Sequence, residues 1–285
     1  MLTVIDLHGK RLRSIAPLPY SVSDYRTYSE GNAQRTPEER THYCQFRRVF
    51  WPRPELIVAE YKEYDEPHSN IMSCDRRRNR RIGDRGRISD DCEVSSDGQQ
   101  IVYVEGEHAC EETVFEKIVL ENLRTHRRRQ LYFRRHGPVA GPSASPDTSR
   151  ICFVRGRDHH RNQSKGVDGL WIVDLKQAMR RLVRMPFHVN SNPKWSPDGR
   201  WIAFARHDER SGLYLYDLSK RTTRFIGKRL GIHGLTWTPD SRSLISAEGA
   251  DGVWCIAVPS GRTKMLAPDG YFPCVRKGRR HNTIR

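Results

Sequence analysis

Three stretches of this chain are near copies of one another: Trp195-Ser-Pro-Asp-Gly-Arg-Trp-Ile-Ala-Phe204, Trp237-Thr-Pro-Asp-Ser-Arg-Ser-Leu-Ile-Ser246 and Ala144-Ser-Pro-Asp-Thr-Ser-Arg-Ile-Cys-Phe153. After a variable gap, each is followed by a second apolar stretch: Tyr214 to Leu218, Val253 to Val258 and Leu170 to Leu175. One repeat is a supersecondary unit that cannot bury its own apolar face, so repeats must stack on their neighbours. The turn aspartates are separated by 42 residues from Asp198 to Asp240, 51 from Asp147 to Asp198 and 50 from Asp97 to Asp147. Steps of this size suit four short strands and their turns.

Within one unit, Lys194 to Ser196 reads as a short strand, Pro197-Asp198-Gly199 as a tight turn and Trp201 to Ala205 as a second strand. Proline presets φ, the aspartate caps nearby amides and glycine accepts positive φ. A third strand at Gly212 to Asp217, a Ser-Lys-Arg turn and a fourth at Thr222 to Ile226 complete an antiparallel meander, one propeller blade. Because this aspartate recurs in the good repeats, Asp97, Asp147, Asp198 and Asp240 are read as structural turn residues rather than catalytic ones.

Five complete units are expected, at roughly 43–82, 90–132, 138–183, 190–227 and 231–267. Residues 1–15 look like the outer half of a unit and 271–285 like the inner half. Joined, they close a sixth blade and remove the strand edges an open stack exposes. The expected fold is therefore all-β: residues 1–285 as a single six-bladed β-propeller of four-stranded blades, with N- and C-terminal strands sharing the last blade. The competing expectation is a fragment of a longer propeller.

The repeats resemble the WD-repeat-like motif of the TolB-type propellers, whose recurring core is a Trp-Ser-Pro-Asp-Gly turn followed by a short apolar strand. Pro193 to Leu218 is a close match and the unit at 43–82 a poor one. The resemblance implies the fold and says little of function. The same blades serve as periplasmic scaffolds, as sensors of membrane regulators, as the gating domain of prolyl-oligopeptidase-type peptidases and as the body of polysaccharide lyases.

The formal net charge is +16, carried mainly by arginine. Arg76, Arg77, Arg78, Arg80 and Arg81, together with Arg127, Arg128 and Arg129, fall at or just beyond third-to-fourth-strand turns. These turns share a face with the Pro-Asp-Gly turns, so this set is the candidate surface for a polyanion or an acidic partner. The bland alternative is a row of solvated hairpin tips, partly neutralised by the turn aspartates.

On the opposite face, His136, His188 and His233 each precede an inner strand and form a candidate metal set, although their spacing is uneven. The seven cysteines lack the close pairs of zinc sites; Cys152 and Cys255 read as small apolar filler, and Cys92 with Cys110 as a possible disulfide only in an oxidising compartment. No nucleophile elbow, His-Glu-x-x-His or phosphate loop occurs. With no 18-residue apolar run and no leader pattern, the chain as written reads as cytoplasmic and not membrane-inserted, and as periplasmic if a longer precursor exists. The functional expectation is a monomeric, non-enzymatic propeller without cofactor that binds another protein. A sensor or gating propeller of a larger regulator or peptidase, and a metal-assisted carbohydrate lyase, are the alternatives.

Overall fold

The structure is a computed structural model that describes residues 2–5, 11–15, 44–53, 56–63, 69–74, 79–83, 88–95, 97–109, 112–135, 137–156, 169–185, 188, 191, 193–228, 234–248 and 250–268. It is a β-propeller, all-β, with antiparallel blades of four strands. A separate hairpin pairs β1 (Leu2–Ile5) with β2 (Arg11–Ile15).

The first blade is β3 (Cys44–Arg53), β4 (Leu56–Glu63), β5 (Ser69–Cys74) and β6 (Asn79–Ile82). The second is β7 (Ile88–Val94), β8 (Gln100–Ala109), β9 (Glu112–Asn122) and β10 (Arg128–Arg135). The third is β11 (Val139–Ala144), β12 (Arg150–Arg155), β13 (Gly169–Asp174) and β14 (Met179–Arg184). The fourth is β15 (Lys194–Trp195), β16 (Trp201–Arg206), β17 (Gly212–Asp217) and β18 (Thr222–Gly227). The fifth is β19 (Leu235–Trp237), β20 (Ser243–Ala247), β21 (Val253–Ala257) and β22 (Thr263–Ala267). The first two blades are not separate sheets: β5 meets β7 at Ser69 and Ile88, which makes one continuous sheet of eight strands. Five blades are thus found where six were expected; the inner half proposed for the sixth, 271–285, lies outside the described residues.

Four hydrophobic clusters lie between consecutive blades, and a fifth, Ile245, Ala247, Val253 and Leu266, lies within the last described blade. Val58, Ile71, Ile101 and Tyr103 join the first to the second; Val104, Ile118, Ile151 and Phe153 join the second to the third. Val154, Leu170, Ile202 and Phe204 continue to the fourth, and Leu213, Leu215, Leu244 and Ile256 to the fifth. A second strand is covered on both faces by neighbouring blades, which is why Ile-Cys-Phe-Val and Ile-Ala-Phe-Ala run apolar without alternation. The outermost strands β14, β18 and β22 are largely exposed.

The turn between first and second strands has the same wiring in four blades. The hydroxyls of Ser95, Ser145, Ser196 and Thr238 each donate to the aspartate two residues on, Asp97, Asp147, Asp198 and Asp240, at 2.6 Å. The same carboxylates accept the amides of Gln99, Ser149, Arg200 and Arg242 at 2.9–3.1 Å. The hydroxyl oxygens in turn accept the amides of Gln100, Arg150, Trp201 and Ser243, the first residue of each second strand. The residue after the aspartate adopts positive φ: Gly98 at 69°, Thr148 at 57°, Gly199 at 76° and Ser241 at 59°. Where it is not glycine, its hydroxyl reaches the preceding blade: Thr148 Oγ1 accepts from Gln100 Nε2 at 2.8 Å, and Ser241 Oγ from the Asp198 amide at 3.0 Å.

The Ser145 hydroxyl and the Ser149 side chain and amide hold the Asp147 carboxyl down to about 2 from an ordinary 3.8. A folded-state value below the unfolded one contributes stability that is complete above about pH 4 and is lost as pH falls through about 2. Asp147→Asn is therefore expected to flatten the decline of the thermal midpoint between pH 4 and pH 2. Asp198→Ala should cost about 1 kcal/mol, the scale of a lost amide cap, measured by urea denaturation. We further propose that β1 and β2 complete a sixth blade with 271–285. Deleting residues 1–15 should then lower the thermal midpoint by about 5 °C or more and promote association through bare edges; an unchanged midpoint would place the hairpin outside the ring.

Candidate functional site

The first strands β7, β11, β15 and β19 pack side by side around the axis. The position two residues before each turn hydroxyl is Glu93, Ser143, Lys194 and Thr236, polar in every case. These side chains connect across blades: Ser143 Oγ donates to Glu93 Oε1 at 3.1 Å and accepts the Trp195 amide at 2.9 Å, while Lys194 Nζ reaches Glu93 Oε2 at 2.5 Å, past the intervening blade. Trp237 Nε1 then donates to the Lys194 carbonyl at 3.0 Å. Side-chain exposure of 12% for Lys194 and 18% for Glu93 makes this a mostly desolvated pair, worth more than a surface bridge and costly to half-remove. Cys152 lies beneath it, its thiol pushed well up by burial and then by the Glu93 charge. Ser143 is held on both sides, as a strap between blades.

A second polar cluster is formed within the second blade, around a Tyr103 ring that packs against the first. Tyr103 Oη donates to Glu121 Oε2 at 2.8 Å, and Arg128 reaches Glu105, Glu121 and the Tyr103 oxygen. Lys117 lies 2.7 Å from Glu105 and His126 Nδ1 3.2 Å from Glu121. Burial, then the two glutamates, push the Tyr103 hydroxyl far above its usual range. Arg128 thus does not belong with the basic turn set. Successive residues of a strand point to opposite faces, so Arg127 and Arg129 turn toward the third blade and Arg128 toward the first.

Of the other expected arginines, Arg80 and Arg81 are exposed on β6, and Arg76, Arg77 and Arg78 lie outside the described residues. The same holds for His136 and His233. His188 is described and does not stand alone: its ring stacks on His207 at 3.8 Å with 15° between planes. Partial burial, then the charge of His207, lower its pKa. Beside it Arg206 pairs with Asp208 and lowers that carboxyl. Among the described residues no group of three histidine, cysteine or acidic side chains could hold a metal ion. Cys92 is a buried free thiol that donates to Glu60 at 3.4 Å.

Two open cavities are formed between blades. One, of about 690 Å³, lies between the fourth and fifth and is lined by Lys228, Glu248, Asp251 and Trp254. The other, of about 550 Å³, lies on the turn face between the second and third, with Arg127, Arg129, Asn122 and Thr148 in its wall. No helix among the described residues is long and apolar enough to cross a membrane.

No protein-family profile matches the chain. Over 112 residues it is 28% identical to the Tol-Pal system protein TolB of Alcanivorax borkumensis, a match covering 37% of this chain and 24% of that protein. Over 110 residues it is 26% identical to the uncharacterized peptidase YuxL of Bacillus subtilis, covering 38% and 17%. A putative TolB from Agrobacterium tumefaciens superposes with a TM-score of 0.55 at 15% identity, covering 78% of this chain and 80% of that one. The fold is that of the TolB-like propellers. An oligogalacturonate lyase in complex with manganese shares it, with a TM-score of 0.55 at 16% identity, covering 81% and 67%. The matches span about a quarter or less of the two sequence relatives.

Sequence reasoning missed the axial set, His207 and the Arg128 network. The axial residues carry a signal, a polar side chain at one fixed offset from every turn. Glu93→Ala should strand the Lys194 ammonium and cost about 3 kcal/mol; pairing it with Lys194→Met should recover at least half of that loss in the same denaturation measurement.

Proposed function

We propose that this chain is a non-catalytic TolB-like propeller that serves as a docking scaffold for another protein. The observation that carries this reading is the engagement of four of its described glutamates by fixed partners. Glu93 is held by Lys194 and Ser143, Glu105 and Glu121 by Arg128 and their neighbours, and Glu116 by the Val139 amide. Acids tied in this way stiffen the ring and fix its blades; general acid–base work requires a group free to exchange a proton with substrate. The exposed side of the ring has the composition of a recognition surface. Phe133, Phe225 and Met265 stand half exposed on outer strands that also carry Arg135, Arg224 and Lys264, and aromatic, methionine and arginine side chains are enriched at protein interfaces.

The peptidase relative favours a second reading, in which the propeller gates or senses for a larger polypeptide. Cross-linking mass spectrometry in the source cell tests both. The scaffold reading expects a separate protein partner in stoichiometric amount with its cross-links confined to one side of the ring, and cross-links only to further domains of the same polypeptide support the gating reading. Turnover of peptides, or of oligogalacturonate with manganese, by the purified protein would overturn the non-catalytic assignment.

A further inference from the structure

The cavity between the second and third blades is built from two unlike parts. Leu120 and Leu175 form an apolar floor, and Arg127, Arg129, Asn122, Thr125, Gln100 and Thr148 surround it. No carboxylate lines it, so two positive charges face a volume of about 550 Å³, within the range of small-molecule sites.

One of its two exposed arginines is fixed in place. Arg127 and Arg129 are two residues apart, so both project from the same side of the chain, about 7 Å from one another along it. Arg129 Nη2 donates to the Leu175 carbonyl of the next blade at 2.5 Å, which fixes the guanidinium over the cavity and leaves further N–H donors for a ligand. Asn122 Oδ1 is occupied by the amides of Arg124 and Thr125, so the amide NH2 of Asn122 is the end with hydrogens to give. Thr148 Oγ1 accepts from Gln100 Nε2 and keeps its own proton to donate. Beside these residues in the chain, the Asp97 and Asp147 carboxylates are engaged by hydroxyls and amides of their own turns.

We propose that this cavity binds a small organic anion that carries an apolar body next to a carboxylate or phosphate group. The two guanidiniums, with the Asn122 and Thr148 donors, take the anionic head, for which bidentate arginine contacts are the strongest pairing. The leucine floor takes the body, and the net charge of +16 draws anions to the protein. This site stands whether or not the scaffold reading holds.

Calorimetric titration with four probes tests it: 2-naphthoate, 1-naphthyl phosphate, inorganic phosphate and neutral 2-naphthamide. One of the two naphthyl anions should bind saturably with one-to-one stoichiometry, at least tenfold tighter than phosphate or naphthamide, and the tighter of them identifies the head group. Arg127→Gln with Arg129→Gln should weaken that binding at least tenfold. Arg127→Gln alone, at a site without a structural bond to the next blade, should weaken it at least threefold without moving the thermal midpoint. Leu175→Ala should weaken the naphthyl anion and not phosphate. The charge-matched control Arg224→Gln with Lys264→Gln, on the fourth and fifth blades, should change affinity less than twofold. Unsaturable binding, an equal loss in the control, or phosphate binding as tightly as the naphthyl anions would overturn the proposal.

Discussion

Four of the five described blades depend on a serine or threonine hydroxyl placed two residues before an aspartate. That hydroxyl donates to the carboxylate at 2.6 Å and accepts the amide that opens the second strand. It locks the hairpin between the strand nearest the axis and the strand behind it, and so fixes register, and a slip of one residue would turn every side chain to the wrong face. With register fixed, Ile202 and Phe204 point to opposite neighbours from Ala203 and Ala205, and Lys194 falls where it can reach Glu93. The ion pair on the axis is thus a consequence of turn chemistry more than of any local preference of lysine or glutamate.

How much of this was legible in the sequence follows from the physics of each feature. The blades were, because Pro-Asp-Gly turns and apolar second strands repeat, and both are local. Their strand ranges, such as Trp201–Arg206 and Gly212–Asp217, fall close to those expected. The fate of Arg128 was not legible, because a run of three arginines reads as a charged tip until strand alternation and the positions of Glu105 and Glu121 are known. His188 was selected for a metal set whose other members, His136 and His233, lie outside the described residues; its described neighbour is His207, nineteen residues on and just past the end of a second strand. Pairing across a loop is non-local information, and one sequence does not carry it.

The blades have two kinds of seam. Between the fourth and the fifth the contact is apolar packing with a few hydrogen bonds, such as those of Ser241 and Trp237. From the second blade to the fourth, the contact also includes Glu93, Ser143 and Lys194, which bond to one another across both seams. A mostly desolvated pair of this kind discriminates strongly among packings, because any shift leaves a charge unpaired in a low-dielectric setting.

That difference makes the ring uneven in the sense of a one-dimensional cooperative chain, where nearest-neighbour couplings decide how far disorder spreads. Here Lys194 of the fourth blade reaches Glu93 of the second, so the second, third and fourth blades are tied into one block, while the fifth joins the fourth by apolar packing and hydrogen bonds. An opening at the third blade is accordingly resisted from both sides. A propeller built this way couples blades that are not neighbours, so a change at one is felt two blades away.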